Sequence, residues 1–272
     1  MKSNLTIFAN FYIDNEERLL RMKDSLESMK GILFDRYVVN VRGSFANQAV
    51  DYLKCNIKPL FVYSLESKNG WFFDTSKLLH LIKTPYVLIW MEDHICMSPE
   101  TINDVVSDMK KSQADILTHT FWQNGRFLKR YSKIDQIDIG TITWFEHTVY
   151  LQKKFKLNSY LIAYPSIIKR NIFEKIINHG NEGPWSKFTP FNFEKPPNDI
   201  KWLPLKRANP KRELFAAIDD NHGDKIDSSL QGRGLYPRRV RRQSYARQKN
   251  SAYLNMFKTL IRFTWGHIFN KD

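Results

Sequence analysis

Residues 84–106 read TPYVLIWMEDHICMSPETINDVV, and the fold follows from how this stretch divides. Pro85 ends any helix arriving from the N-terminal side, because the residue before a proline is pushed out of the helical region. Tyr86–Met91 is an unbroken apolar run, too short for a helix and without alternation. Those features define a strand buried on both faces. Glu92, Asp93 and His94 stand at its exit, and Ser98–Pro99 then opens a helix to about Lys111, with proline at the first helical turn. Working outward toward the N-terminus, the same unit repeats. Leu5–Phe11 is a buried strand, followed by a helix over Asn15–Met29 with Leu19, Leu20, Met22, Leu26 and Met29 at helical spacing and Gly31 as its stop. Tyr37–Val41 is a second strand, with Ser44 as cap for a helix through Cys55. Leu60–Leu65 is a third, and Asp74 can cap the helix TSKLLHLIK. Toward the C-terminus, Asp115–Thr120 gives a fifth strand.

Strands alternating with helices at this spacing define an α/β chain with a mostly parallel central sheet flanked by helices. Ligands of such sheets sit at the carboxyl ends of the strands. The polar residues there run from Asn10 to Asn15, Arg42 to Ser44, Glu66 to Asp74 and Glu92 to His94. Beyond residue 120 the pattern is mixed. Thr141–Leu151 and Ser159–Ala163 read as strands, and Pro165–His179 as an amphipathic helix ended by Gly180. Asn181–Pro210, with six of the 11 prolines and several aromatics, reads as ordered loop. The expected organisation is one domain over 1–232, with halves 1–120 and 121–232, and a tail over 233–272.

The composition narrows the class. The 272 residues are 42% hydrophobic and 14% aromatic, enough for a substantial core and unlike a disordered chain. No apolar run approaches the roughly 20 residues of a membrane-spanning helix. The first residues lack the pattern of a signal peptide and read as the opening strand. Cys55 and Cys96 are the only cysteines, too few for a disulfide framework or a cysteine zinc site, and are expected to be small buried apolar residues. Lys and Arg number 42 against 28 Asp and Glu. From Arg233 to the end stand ten basic residues against Asp272 alone, so the charge concentrates in the tail.

Glu92, Asp93 and His94 share one cleft at a strand exit. Two carboxylates and an imidazole suit a divalent cation such as Mg²⁺ or Mn²⁺, and such a cation suits a diphosphate. The plainer alternative is a solvated loop whose acids cap the next helix. In this context residues 5–120 resemble the nucleotide-sugar-binding half of GT-A fold glycosyltransferases, in pattern close to glycosyltransferase family 2. The resemblance rests on LTIFANFYIDNEERLLRMKDSLESM, on ESKNGWFFDTSKLLHLIK with Asn69 and Gly70 in its loop, and on the 84–106 stretch. It implies a GT-A type nucleotide-sugar-binding fold, with donor contacts at Asn10, Tyr12, Asn40, Arg42, Asn69, Gly70, Lys77, Glu92, Asp93 and Arg233. It implies metal ligation by Asp93, His94 and the late histidine His222. Two departures stand out: the acidic motif reads Glu-Asp-His rather than Asp-x-Asp, and NVRGS lacks the acid that often holds the base, leaving Asn40 or Arg42 for that contact. In the second half, SYLIAYPSIIKRNIFEKIINHG resembles the family's strand followed by a helix. A carboxylate base near the acceptor is then implied, with Glu194, Glu182 and Asp199 as candidates. Glu194 is favoured because its aromatic-rich loop would raise its pKa. Asp219-Asp220-Asn221-His222-Gly223 is the other candidate cluster, and the alternative for it is a simple turn. Gln231-Gly-Arg-Gly-Leu is a candidate loop over the diphosphate.

In the tail, five residues after Pro237 supply four arginines, and Tyr253–Phe269 carries aromatics and leucines at helical spacing. An amphipathic helix beside arginines suits an anionic membrane surface, through residues 238–269. Docking on the domain's own core is the alternative. Nucleic acid is not expected, since few stacking aromatics interleave the basic run. The sequence therefore suggests transfer of a sugar from a nucleotide-diphosphate donor to a glycan or lipid-linked acceptor in bacterial surface polysaccharide synthesis. The setting would be cytoplasmic, peripheral to the inner face of the membrane. A catalytically inactive nucleotide-sugar-like or nucleic-acid-binding module is the alternative, and turnover separates them.

Overall fold

A computed structural model describes residues 3–118, 131–157, 161–162, 164–180, 200–219 and 229–236. The first half follows the expected alternation with two differences. A helix over Trp71–Ser76 and a 3₁₀ turn over Leu79–Leu81 stand in place of the single helix expected for TSKLLHLIK, and the short strand His94–Cys96 was not expected. β1 (Leu5–Tyr12), α1 (Glu16–Ser28), β2 (Arg36–Arg42), α2 (Ala46–Asn56), β3 (Leu60–Tyr63), α3 (Trp71–Ser76), β4 (Tyr86–Ile89), β5 (His94–Cys96), α4 (Ile102–Ser112) and β6 (Ile116–Thr118) succeed one another. The second half adds β7 (Ile137–Ile139), β8 (Ile142–His147), α5 (Val149–Phe155), β9 (Ser166–Lys169), α6 (Arg170–Gly180), β10 (Leu205–Pro210) and β11 (Phe215–Ala217).

Among the described residues the main sheet has nine strands in the order β3-β2-β1-β4-β9-β6-β10-β8-β7, and β5 pairs with β11 in a separate ribbon. β1 lies parallel to both β2 and β4, and all four residues of β4 are buried because Tyr86 and Leu88 enter one apolar layer and Val87 and Ile89 the other. That burial is why the run showed no alternation. β9 corrects the expected all-helical reading of Pro165–His179. Its residues insert antiparallel between β4 and β6, and Ile167 and Ile168 are both fully buried. A strand covered on both faces presents consecutive apolar residues, which over four positions look the same as a helix. The sheet is therefore mixed.

Other boundaries moved for local reasons. The strand expected over Thr141–Leu151 stops at His147, because the Thr148 hydroxyl accepts from the Leu151 amide and starts α5. Leu205–Pro210, expected as loop, is β10, paired antiparallel with β8. Ser44 does not cap α2; its hydroxyl donates to the Asp14 carbonyl at 3.0 Å. Leu161 and Ile162 lie in a turn, and the other residues of the strand expected over Ser159–Ala163 lie outside the described residues. Cys96 is buried as expected, but Cys55 is exposed on α2.

Two apolar layers hold the sheet. One packs Leu19, Met22 and Leu26 of α1 and Leu53 of α2 over Ile7 and Val39. The other packs Phe72 of α3 and Phe173 and Ile176 of α6 over Phe8 and Val87, with the Phe8 and Phe173 rings 5.2 Å apart. Gly180 is dictated by this second layer: a Cβ there would lie 2.2 Å from the Phe72 ring. No helix among the described residues is long and apolar enough to cross a membrane. The amphipathic tail expected over 233–272 lies beyond them from residue 237 onward.

Candidate functional site at the carboxyl edge of the sheet

The ends of β1, β2 and β3 meet through two asparagines. The Asn10 side-chain oxygen accepts from Asn40 Nδ2 at 3.0 Å and from Arg42 Nε at 3.1 Å. Its amide donates to Thr75 Oγ1 at 2.9 Å and to the Trp71 carbonyl at 3.3 Å. An amide has two donors and two lone pairs, so Asn10 has no capacity left for a ligand. Asn40 is similarly engaged, accepting from the Leu65 amide at 2.7 Å and donating to the Leu65 carbonyl at 2.8 Å. Both residues, read from the sequence as donor contacts, instead build the wall that holds Arg42.

Arg42 is what that wall presents. Only its Nε is engaged; its terminal nitrogens make no hydrogen bond among the described residues. Burial pulls its pKa down, while the carboxylates of Asp74, Glu66 and Glu92 act against that. Its guanidinium lies 5.6 Å from the centre of the Tyr12 ring, and that of Arg18 lies 5.8 Å from it. Tyr12 is 42% exposed, so an aromatic ring and a cation with free donors share one opening. Gly43 closes the corner. With φ of +95° it passes so near β1 that a Cβ would sit 2.5 Å from the Ile13 carbonyl oxygen.

Glu92 and Asp93 form the turn between β4 and β5. His94 is buried, and its Nδ1 lies 2.7 Å from Asp93 Oδ1. Burial alone would raise the Asp93 pKa, but the bonded His94 and the nearby Arg21 overcome it and hold the carboxyl below its usual range. Glu92 goes the other way. Burial, and then the Asp93 charge, push it up to about 7, against a weaker pull from Arg18, whose Nη1 is 3.9 Å away. The turn thus presents one firmly ionised carboxylate beside one that titrates near neutrality.

A divalent cation that keeps waters and takes diphosphate oxygens needs only one or two protein carboxylates. Asp93 fits that role through its second oxygen, while His94 is turned to Asp93 and orients it. Among the described residues no three His, Cys, Asp or Glu side chains could together enclose an ion.

Of the remaining sequence candidates, Asn69 is exposed in the turn before α3 and Gly70, at φ of +90°, precedes that helix. Lys77 is exposed over the Phe73 ring at 4.7 Å, outside the Asn10–Arg42 network. Asp74 lies inside α3 instead of capping it; its carboxylate accepts from the Ser67 amide at 3.1 and 3.3 Å and fixes the loop after β3. Arg233, expected on phosphate, is ion-paired with Glu213 at 2.7 Å. Glu182, Glu194, Asp199 and His222 lie outside the described residues. The sequence reading missed Arg18 and Arg21, whose signal was the charge spacing on α1: Glu17 and Arg21 stand four residues apart.

No family model matches the chain, and no curated protein does. Among solved structures, it is similar to the S. aureus TarS 1–349 fragment at 14% identity, covering 80% of this chain and 60% of that one, with a TM-score of 0.52. The same fragment in complex with UDP-GlcNAc matches at 14% identity over 84% of this chain and 61% of that one, with a TM-score of 0.48. The chain therefore spans less than two thirds of the structures it matches. TarS is a GT-A glycosyltransferase, and the fold is of that GT-A-like kind, as the resemblance implied.

Proposed function

We propose that the chain is a glycosyltransferase that moves a sugar from a nucleotide-diphosphate donor to a glycan or lipid-linked acceptor, in the synthesis of a bacterial surface polysaccharide. The observation that carries this reading is the pairing, along one sheet edge of a GT-A-like fold, of Arg42 and Tyr12 with the Glu92–Asp93–His94 turn. Tyr12 offers a face for the base, and Arg42 offers donors for carbonyl or phosphate oxygens. Asp93, kept ionised and oriented by His94, would hold Mn²⁺ or Mg²⁺. When bound, such an ion neutralises charge gathering on the departing diphosphate. Glu194, with Glu182 and Asp199 behind it, is the base proposed to take the proton from the attacking hydroxyl. The membrane role of residues 238–269 belongs to the same proposal, and its setting is the inner face of the cell membrane.

The test is nucleotide release from UDP-, GDP- and CMP-sugars, with Mn²⁺ or with EDTA, alongside melting temperatures in the same solutions. A ligand bound to the native state raises the melting temperature by mass action. One nucleotide class should shift the protein and turn over, and Asp93→Ala should lower turnover on the order of 10³-fold, as loss of a charge-stabilising group does. Activity indifferent to EDTA would remove the metal but keep the donor site. No shift and no release with any of them would overturn the proposal in favour of the inactive-module alternative.

A further inference from the structure

Arg21 is only 2% exposed in the middle of α1, yet it carries a full charge. A guanidinium that deep persists only where its charge and its N–H groups are met. Two carboxylates meet it. Nε donates to Glu17 Oε1 at 2.9 Å one turn back, and Nη1 donates to Asp219 Oδ2 at 2.8 Å, 198 residues along the chain.

Asp219 is not an arbitrary partner. The ribbon of β5 and β11 pairs Ala217 with His94, and the Ile218 amide donates to the Asp93 carbonyl at 2.8 Å. Asp219 therefore follows directly on the residue that bonds the Asp93 backbone. Arg18, three residues before Arg21 on the same helix, has its Nη1 3.9 Å from Glu92. Arg18 thus faces the turn before β5 through Glu92, and Arg21 holds the chain two residues beyond β11 through Asp219. The Glu92–Asp93 turn lies where the ribbon meets the sheet.

Resting on the glycosyltransferase reading above, we infer that Arg21 and Asp219 are a positioning pair for the reaction: α1 clamps the β5–β11 ribbon through them and thereby fixes the turn that presents Asp93 to the donor. Neither residue needs to touch the donor. Lysine cannot replace Arg21, because a single ammonium lacks the planar fork that reaches Glu17 and Asp219 at once.

The experiment uses the full chain with three variants: Arg21→Lys, Arg21→Gln, and Arg21→Gln combined with Asp219→Asn. Arg21→Gln alone strands the Glu17 and Asp219 carboxylates and should lower the melting temperature; the combined variant removes the charge of Asp219, the more buried of the two, and should recover much of it. The inference expects donor kcat/KM in the combined variant and in Arg21→Lys to stay on the order of 10- to 100-fold below wild type, mainly through donor KM, as misplacement by about 1 Å does. It also expects faster amide hydrogen exchange at residues 92–95 in both. Recovered melting temperature together with kcat/KM within about twofold of wild type and unchanged exchange would overturn it, leaving a structural ion pair. If the wild type releases no nucleotide from any donor, the glycosyltransferase reading fails, and the exchange at 92–95 still decides whether the clamp exists. Should the combined variant not fold, Arg21→Lys carries both measurements.

Discussion

The sheet edge formed by β1, β2 and β4 and the face formed by β8 and β10 both bury polar side chains, by opposite means. At the first, Asn10 and Asn40 are bonded to each other, to backbone and to Arg42, so both amide side chains are saturated. At the second, His147 and Arg207 are each 1% exposed. They lie on one face with Phe145, and the Arg207 guanidinium is 4.9 Å from the centre of the Tyr131 ring. His147 Nε2 and Asn209 Oδ1 have no hydrogen-bond partner among the described residues. Hydrogen bonding saturates the first region, whereas in the second desolvation acts on His147 above all. The first is thereby preorganised to present a cation and a carboxylate, whereas the second holds an imidazole that cannot take up a proton cheaply.

The sharpest break of this contrast is Asn40→Ala. It removes three hydrogen bonds at once and leaves the Leu65 amide and carbonyl unmet, which should cost about 1–3 kcal/mol in urea unfolding. It should also weaken donor binding by loosening Arg42. Equal donor affinity in the variant would mean that Arg42 does not depend on the network.

The two regions should also respond to pH with opposite signs. Burial first, and Arg207 second, push His147 down to about 3 from an ordinary 6.5. The unfolded chain therefore takes up this proton before the folded one does. Stability should fall as pH drops from about 6.5 to about 3, at up to about 1.4 kcal/mol per pH unit. His147→Phe should flatten that acid limb in melting curves, and an unchanged limb would show that the imidazole titrates freely.

Glu92 gives the reversed effect, smaller than that of His147. Its pKa is raised from 4.5 to about 7, so the folded state holds a proton that the unfolded state has lost. Its contribution is complete below about 4.5 and disappears as pH rises through about 7. Glu92→Gln should therefore raise the melting temperature at pH 8 and leave it unchanged at pH 4. A variant equally stable relative to wild type at both values would place Glu92 in ordinary solvent.

How far the residues themselves disclosed all this depended on range. β1, α1, β2 and β4 were legible because each is a contiguous run whose period, caps and breakers are local: Asn15 caps α1 by accepting from the Arg18 amide, and Gly31 follows the helix at φ of +97°. The Glu92–Asp93–His94 turn was legible for the same reason, as polar residues at a strand exit. β9 was not, because four residues cannot separate a doubly buried strand from a helix; only its two neighbours, β4 and β6, distinguish them. β10 was masked by proline, which its final position tolerates.

The sequence by itself determined the alternation of strands and helices, the edge at which polar side chains collect and the acidic turn there, since these follow from periodicity and composition along a few residues. Tertiary structure decided which of those side chains face outward. Asn10 and Asn40 turned inward because partners 25 to 65 residues away saturate them, and Arg21 met Asp219 across 198 residues. Hydrogen-bond saturation and charge compensation are properties of the assembled neighbours, and no local pattern encodes them.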